Sequence, residues 1–357
     1  MFDSVKSLLD YILVQQTALG LPSRVTFELT PFCNFHCPMC YVRKDKLKMH
    51  EVTLNAEKWL TLAQQAKRVG VINLCMTGGE IFTLPEFRDL YERVYDMGFF
   101  MCLISNGYLL DEATVEWLAH RKPRSIKITL YGASNETYQR VCGVPDGFDR
   151  VTAGILRLQA AGIRVRTCMT VIRENEDDLE AVFQWARQHE LPFVYCKQIK
   201  QSVYGEIDGL NDIRVAPDYD PDMDEDRIEH ETDLFYTRNE KPFSGCNCYR
   251  NSCIITWDGR MIGCNFVRSH SVNALEGDFV ENFRRLWDSL DTIKTPEKCV
   301  HCKYLRFCNP CPGALEGQSG DPEVVSPYVC AVARENYQRV NLKREHEAEE
   351  TKNCEEE

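Results

Sequence analysis

Cys33, Cys37 and Cys40 stand in the spacing C-x3-C-x2-C, directly after a strand-like run from Arg24 to Thr30. Three thiolates on one loop can hold three irons of a [4Fe–4S] cube and leave the fourth iron open. An open iron can bind and reduce a ligand, which a fully ligated electron carrier cannot do. Zinc also takes thiolates, but it normally wants a fourth ligand close by. His36 is the one near candidate, and it sits inside the loop.

Other positions could serve such a centre. About forty residues on, an apolar run closes on Gly78, Gly79 and Glu80. Two glycines at a strand end let the backbone approach a ligand closely, and the carboxylate can accept from an ammonium group. A third run ends in Ser105, Asn106 and Gly107, and a fourth in Thr129, Leu130, Tyr131 and Gly132, with Glu136 and Arg140 beyond. Each could equally be ordinary turn chemistry. Cys142 lies in a loop near the same face, where a thiol could give a hydrogen atom to a radical. Cys75, Cys102, Cys168 and Cys196 fall inside strand-like runs and read as small core residues.

Cysteines return after residue 245: Cys246, Cys248, Cys253, Cys264, Cys299, Cys302, Cys308, Cys311 and Cys330. Iron–sulfur clusters or two zinc sites would both suit their spacing. Cys354 lies in an acidic tail and is not expected to be a ligand.

The 357 residues include 18 cysteines. Disulfide-dense secreted scaffolds are much shorter, and the segment from Met1 to Asp10 has neither a basic start nor a long apolar run. A cytoplasmic protein with metal-bound thiols is the expectation. No stretch approaches a membrane span. The net charge of −12 argues against nucleic acid as a partner.

The elements that must position these residues follow from periodicity. Val5, Leu8, Leu9 and Ile12 predict a leading helix. Strand-like runs follow at about 24–30, 71–77, 99–105, 124–131, 163–172 and 192–199, with helical patterns between them. Six β/α units predict an α/β fold with a parallel sheet, in the form of an open partial barrel. Functional residues in such sheets gather at the strands' C-terminal ends, where the three-cysteine loop falls. A β-hairpin is predicted around Asp258 and Gly259. The chain thus divides into an N-terminal helix (1–23), the barrel (24–200), an acidic connecting segment (201–245), a cysteine-rich domain (246–335) and an acidic tail (336–357). Asp218, Asp220, Asp222, Asp224, Glu225 and Asp226 crowd the connecting segment. They read as a solvated loop, or more sharply as a rim that attracts a basic peptide.

The three-cysteine motif, with Tyr41 as the aromatic residue beside its last cysteine, resembles that of the radical S-adenosylmethionine (SAM) superfamily. The C-terminal cysteines resemble a SPASM domain, an extension carrying two auxiliary [4Fe–4S] clusters. The resemblance covers roughly 24–335. It implies a partial (β/α)6 barrel followed by a small cysteine-rich domain, with SAM and three [4Fe–4S] clusters as cofactors. It implies that Gly78, Gly79 and Glu80 hold the methionyl amino group, that Ser105 and Asn106 lie near the ribose, and that Thr129 and Arg140 are polar contacts. It implies that Cys246, Cys253, Cys264 and Cys311 hold the nearer auxiliary cluster, with Cys248 able to replace Cys246. Cys299, Cys302, Cys308 and Cys330 would hold the farther one. The last gap, x2 between Cys308 and Cys311, departs from the usual x3.

The activity implied is an oxidoreductase. A 5′-deoxyadenosyl radical oxidises a peptide or protein side chain by crosslinking or dehydrogenation, with flavodoxin or ferredoxin as electron donor. Cys142 would then match the hydrogen-atom donor of some related epimerases. Only about 23 residues precede the first strand, so leader recognition is expected from a separate protein. Sulfatase maturation ranks lower, because Asn265 stands where those enzymes carry an aspartate base and an amide cannot take the proton. Oxidation of a small molecule such as a tetrapyrrole or sugar, and a non-enzymatic electron carrier, are the alternatives.

Overall fold

The computed structural model describes residues 5–42, 53–201, 209–219, 242–243, 246, 248–308 and 310–355. Asp220, Asp222, Asp224, Glu225 and Asp226 of the acidic segment lie outside them. The described residues form two compact units: 1–215 with 248–290, and 216–247 with 291–357.

In the first unit, helix α1 (Val5–Ala18) precedes six strands: β1 (Arg24–Glu28), β2 (Asn73–Thr77), β3 (Phe100–Ser105), β4 (Ser125–Leu130), β5 (Val165–Thr170) and β6 (Phe193–Cys196). Helices α2 (Ala56–Arg68), α3 (Phe87–Tyr95), α4 (Glu112–His120), α5 (Asn135–Cys142), α6 (Gly147–Ala160) and α7 (Leu179–Gln188) connect them. The strands pair parallel in chain order. Their alternation decides which face is dry: Val25 and Phe27, Leu74 and Met76, Ile126, Ile128 and Leu130 are all buried. The helices present the complementary stripe. Phe27 packs on Trp59 of α2 with ring centroids 4.8 Å apart, and Leu62, Ala63, Leu90, Val94, Val182 and Ala186 fill the layer. Polar caps start the helices where the chain needs to turn. Asn55 accepts from the Lys58 amide at 3.0 Å, and Asp111 from the Thr114 amide at 2.8 Å.

The sheet is wider than six strands. β7 (Ser252–Thr256) pairs parallel with β1, and β8 (Arg260–Cys264) and β9 (Val267–Asn273) follow antiparallel, giving nine strands. The predicted hairpin therefore belongs to the barrel's sheet, and the segment 246–335, expected as one domain, is divided between the units. The physical reason is the edge. In a six-strand sheet β1 would present unpaired amides and carbonyls, and the returning hairpin covers them. The second unit holds Glu297–Val300, Pro312–Ser319 and the long C-terminal helix Pro327–Glu355. Among the described residues, no helix is long and apolar enough to cross a membrane.

A buried ion pair ties the two ends of the first unit's sequence. Arg268 of β9 donates to both carboxylate oxygens of Glu28 at the end of β1, at 3.3 and 3.0 Å. Glu28 is fully buried and Arg268 nearly so. Burial pushes the Glu28 carboxyl above its usual range, and the guanidinium pulls the other way. Tyr41 donates its hydroxyl to the same carboxylate at 3.3 Å. Breaking a buried pair costs more than the pair contributes, because one charge is stranded. Arg268→Met is expected to destabilise the protein by about 3–5 kcal/mol, read as a lower denaturant midpoint at unchanged slope. Glu28→Gln in the same chain should recover most of the loss.

Candidate active site

The three-cysteine loop leaves β1 at the sheet's C-terminal end, and glycine fixes its course. The Gly79 amide donates to Thr30 O at 2.6 Å, and the Glu80 amide to Phe32 O at 2.7 Å. A Cβ on Gly78 would lie 2.5 Å from Thr30 O, and one on Gly79 2.0 Å from Phe32 O. The glycines thus admit the chain's own cysteine loop. Gly78 also holds φ +152, a conformation that disfavours other residues.

Glu80 is the hub beneath this loop. It is fully buried. Its carboxylate accepts from Ser105 Oγ at 2.9 and 3.0 Å, the Asn106 amide at 2.7 Å and the Phe82 amide at 3.1 Å. Burial pushes its carboxyl up to about 7, against the pull of the Asn106 and Phe82 amides. Asn106 carries the chain of bonds onward. Its side-chain amide donates to Asn34 Oδ1 at 2.8 Å and reaches Cys33 Sγ at 3.6 Å. The Phe35 amide donates to the same sulfur at 3.4 Å. Gly78, Gly79, Glu80, Ser105 and Asn106 are therefore gathered around the cysteine loop. Thr129 is farther along the sheet, with Oγ1 3.5 Å from Cys168 Sγ. Arg140 is exposed and donates through Nε and Nη2 to the Glu174 carbonyl at 3.0 and 2.8 Å.

The sequence reading missed the aromatic wall of this site and placed Cys142 in a loop, whereas it is the last residue of α5. Phe35 is buried in an aromatic wall, with ring centroids 5.6 Å from Tyr108, 5.7 Å from Tyr131 and 6.4 Å from Tyr138. Tyr131 bonds to the Cys37 sulfur. Cys142 is fully buried with its sulfur 3.6 Å from Cys37 Sγ, and its carbonyl accepts from the His36 amide at 3.0 Å. Aromatic residues flanking the cysteines were the available signal for the wall. The His36 side chain is exposed.

The thiols suit an iron–sulfur cluster in chemistry. Cys33, Cys37 and Cys40 lie within electrostatic reach of one another. Burial pushes the Cys33 thiol up to about 12, with the Glu80 carboxylate adding to it. Contact with Cys142, then burial, pushes Cys37 up as well. Cys33 and Cys37 thus hold their protons more tightly than free thiols. Iron binding would require their loss, and the N–H donors of Phe35 and Asn106 would then stabilise thiolate charge. Among the described residues, no three His, Cys, Asp or Glu side chains form a group that could hold one metal ion.

The other cysteines divide by unit. Cys253 is buried in β7, and Cys264 ends β8 with its sulfur accepting from the Phe266 amide at 3.5 Å. Cys248 turns the chain into β7, its carbonyl accepting from the Asn251 amide at 3.3 Å. Cys246, Cys299, Cys302, Cys308, Cys311 and Cys330 belong to the second unit. There, burial pushes Cys308 up to about 12, with Cys330, Cys299, Cys302 and Cys311 near enough to raise it further. Cys311 caps the helix Pro312–Ser319, its sulfur accepting from the Ala314 amide at 3.3 Å.

Residues 27–186 match the radical SAM superfamily model. That segment is a radical SAM domain. Its cofactors are those of the superfamily, a [4Fe–4S] cluster and SAM. The chain is 23% identical over 341 residues to an AdoMet-dependent heme synthase of Methanosarcina barkeri, covering 86% of this chain and 96% of the relative. It is 30% identical over 164 residues to the sporulation killing factor maturation protein SkfB of Bacillus subtilis, covering 46% of this chain and 39% of SkfB. The chain thus spans less than half of SkfB's length. In fold it is similar to Streptococcus suis SuiB bound to S-adenosylmethionine, with a TM-score of 0.65 at 18% identity over 92% of this chain and 84% of SuiB.

Glu80 generates the test of this site. Glu80→Ala strands the Ser105, Asn106 and Phe82 donors in a dry place, at about 1–3 kcal/mol each. A lower melting temperature and lower iron content after reconstitution are expected. Glu80→Gln keeps an acceptor and should fall between Glu80→Ala and wild type on both readouts.

Proposed function

We propose that this chain oxidatively modifies a peptide or protein side chain, by crosslinking or dehydrogenation. The observation that carries the reading is the second unit's cysteine group, Cys299, Cys302, Cys308 and Cys330, in mutual electrostatic reach, in a chain that also carries a radical SAM domain. Net oxidation needs an acceptor for a second electron, which an isomerisation does not. That set would hold the farther auxiliary cluster, and Cys246, Cys253, Cys264 and Cys311 the nearer. The maturation protein SkfB, and SuiB solved with its precursor peptide SuiA, support a peptide as substrate.

When bound, the cofactors would supply a 5′-deoxyadenosyl radical for hydrogen-atom abstraction, and auxiliary clusters would supply an acceptor for the second electron. The chain's own part is placement and exclusion. The backbone at Gly78 and Gly79, with Glu80, Ser105 and Asn106, would hold SAM against the cysteine loop. Thr129 would line the approach from the sheet, and Arg140 would fix the end of α5. Phe35, Tyr108, Tyr131 and Tyr138 keep water from the Cys37 side. An external flavodoxin or ferredoxin supplies electrons.

A second reading has its own support. The heme synthase matches over nearly its whole length, which favours a tetrapyrrole or similar small molecule as substrate. Anaerobic turnover separates the two: product from a co-encoded peptide supports the first, and product from a tetrapyrrole alone overturns it.

Two measurements test the chemistry. Anaerobically purified protein should carry about twelve irons per chain; about four, with bound zinc, would remove the auxiliary clusters from the account. Changing Cys33, Cys37 and Cys40 together to alanine should abolish 5′-deoxyadenosine formation and leave about eight irons. Undiminished formation in that variant would refute the assignment of the loop.

A further inference from the structure

The opposite end of the sheet carries a second concentration of chemistry. Arg24 opens β1, Arg124 immediately precedes β4, Arg164 immediately precedes β5, and Arg166 is the second residue of β5. Parallel strands begin at one end, so these four side chains converge there. They line a cavity of about 320 Å³ together with Cys75 and Cys102. Cys75 and Cys102 are register partners, as are Lys127 and Arg166 in the same face of the sheet. Lys127 lies within electrostatic reach of Cys75.

Among the described residues, no carboxylate lines this cavity. That is unusual in a chain with 54 acidic and 42 basic residues. Several arginines elsewhere meet carboxylates: Arg93 with Glu57, Arg121 with Asp96, Arg250 with Asp288, and Arg268 with Glu28. At the cavity, Arg124 donates to the neutral Asn73 Oδ1 at 3.1 Å and lies over Phe100. Arg24 donates to Asn251 Oδ1 at 2.7 Å. The side chains of Arg164 and Arg166 are exposed and make no ion pair among the described residues. The guanidinium groups of Arg124, Arg164 and Arg166, with no ion pair among the described residues, repel one another, and a bidentate oxyanion is the group that relieves them.

We propose that the floor of the barrel binds a multivalent oxyanion, a phosphate- or carboxylate-bearing small molecule held by Arg124, Arg164 and Arg166. The cysteine loop lies at the other end of strands five or six residues long, roughly 15–20 Å away. The site is therefore separate from the SAM site, and its failure would leave the functional reading above intact.

The test uses anaerobically reconstituted enzyme at physiological salt, with cluster absorbance followed to exclude chelation. Inorganic pyrophosphate and tricarballylate are titrated by calorimetry. Saturable binding of one anion per chain is expected, and the preferred probe tells phosphate from carboxylate recognition. Arg164→Gln with Arg166→Gln should weaken binding at least about tenfold, since two charge-assisted bonds are lost. SAM binding should not change. Arg164→Lys with Arg166→Lys should retain part of the affinity. The bound anion should slow alkylation of Cys102 in a peptide map. Absence of saturable binding by either probe at millimolar concentration, or equal binding by the glutamine variant, overturns the proposal.

Discussion

The site rests on a backbone contact that only glycine permits. Thr30 and Phe32 give their carbonyls to the amides of Gly79 and Glu80, so the loop bearing Cys33, Cys37 and Cys40 is sewn to the end of the neighbouring strand before any side chain acts. A methyl group at either glycine would stand 2.0–2.5 Å from a carbonyl oxygen. With the loop held there, Glu80 binds Ser105 and Asn106 from the next strand, and Asn106 returns to Asn34 and Cys33. Three strand ends are joined through one carboxylate.

Buried charge shapes the rest. Glu28 and Glu80 both lie in dry surroundings that push their carboxyls upward, yet they are satisfied differently. Glu28 has a guanidinium and a phenol, and so links β1 to the returning hairpin. Glu80 has only neutral donors, so it holds loops together without a partner charge. The thiols follow the same rule. Burial raises the Cys33 and Cys308 thiols further above neutrality, so cluster assembly would have to release protons as iron takes their place.

The hairpin from β7 to β9 serves two ends at once. It closes the open edge of β1, and it carries Cys253 and Cys264 into the barrel's unit, where Cys248 also lies, while Cys246, Cys299, Cys302, Cys308, Cys311 and Cys330 belong to the second. Tyr41, next to Cys40, packs on Phe266 of the turn after Cys264, with ring centroids 5.5 Å apart. The cysteine loop and the hairpin are thus in direct contact within one unit.

The sequence by itself determined what depends on neighbours in the chain. Apolar alternation marked β1 to β6, the i, i+3, i+4 stripes marked α2, α3 and α7, and Asp258-Gly259 marked the hairpin turn. Cysteine spacing named the chemistry, because three thiols in eight residues have few other uses. Tertiary structure decided what depends on distant partners. No local pattern pairs Glu28 with Arg268, sets Cys142 against Cys37, or assigns the hairpin to the free edge of β1. Nor does any pattern gather Arg24, Arg124, Arg164 and Arg166 at one end of the sheet. Each joins residues far apart in the chain, and the parallel stacking of strands, which begins every strand at one end and ends it at the other, brings the arginines together.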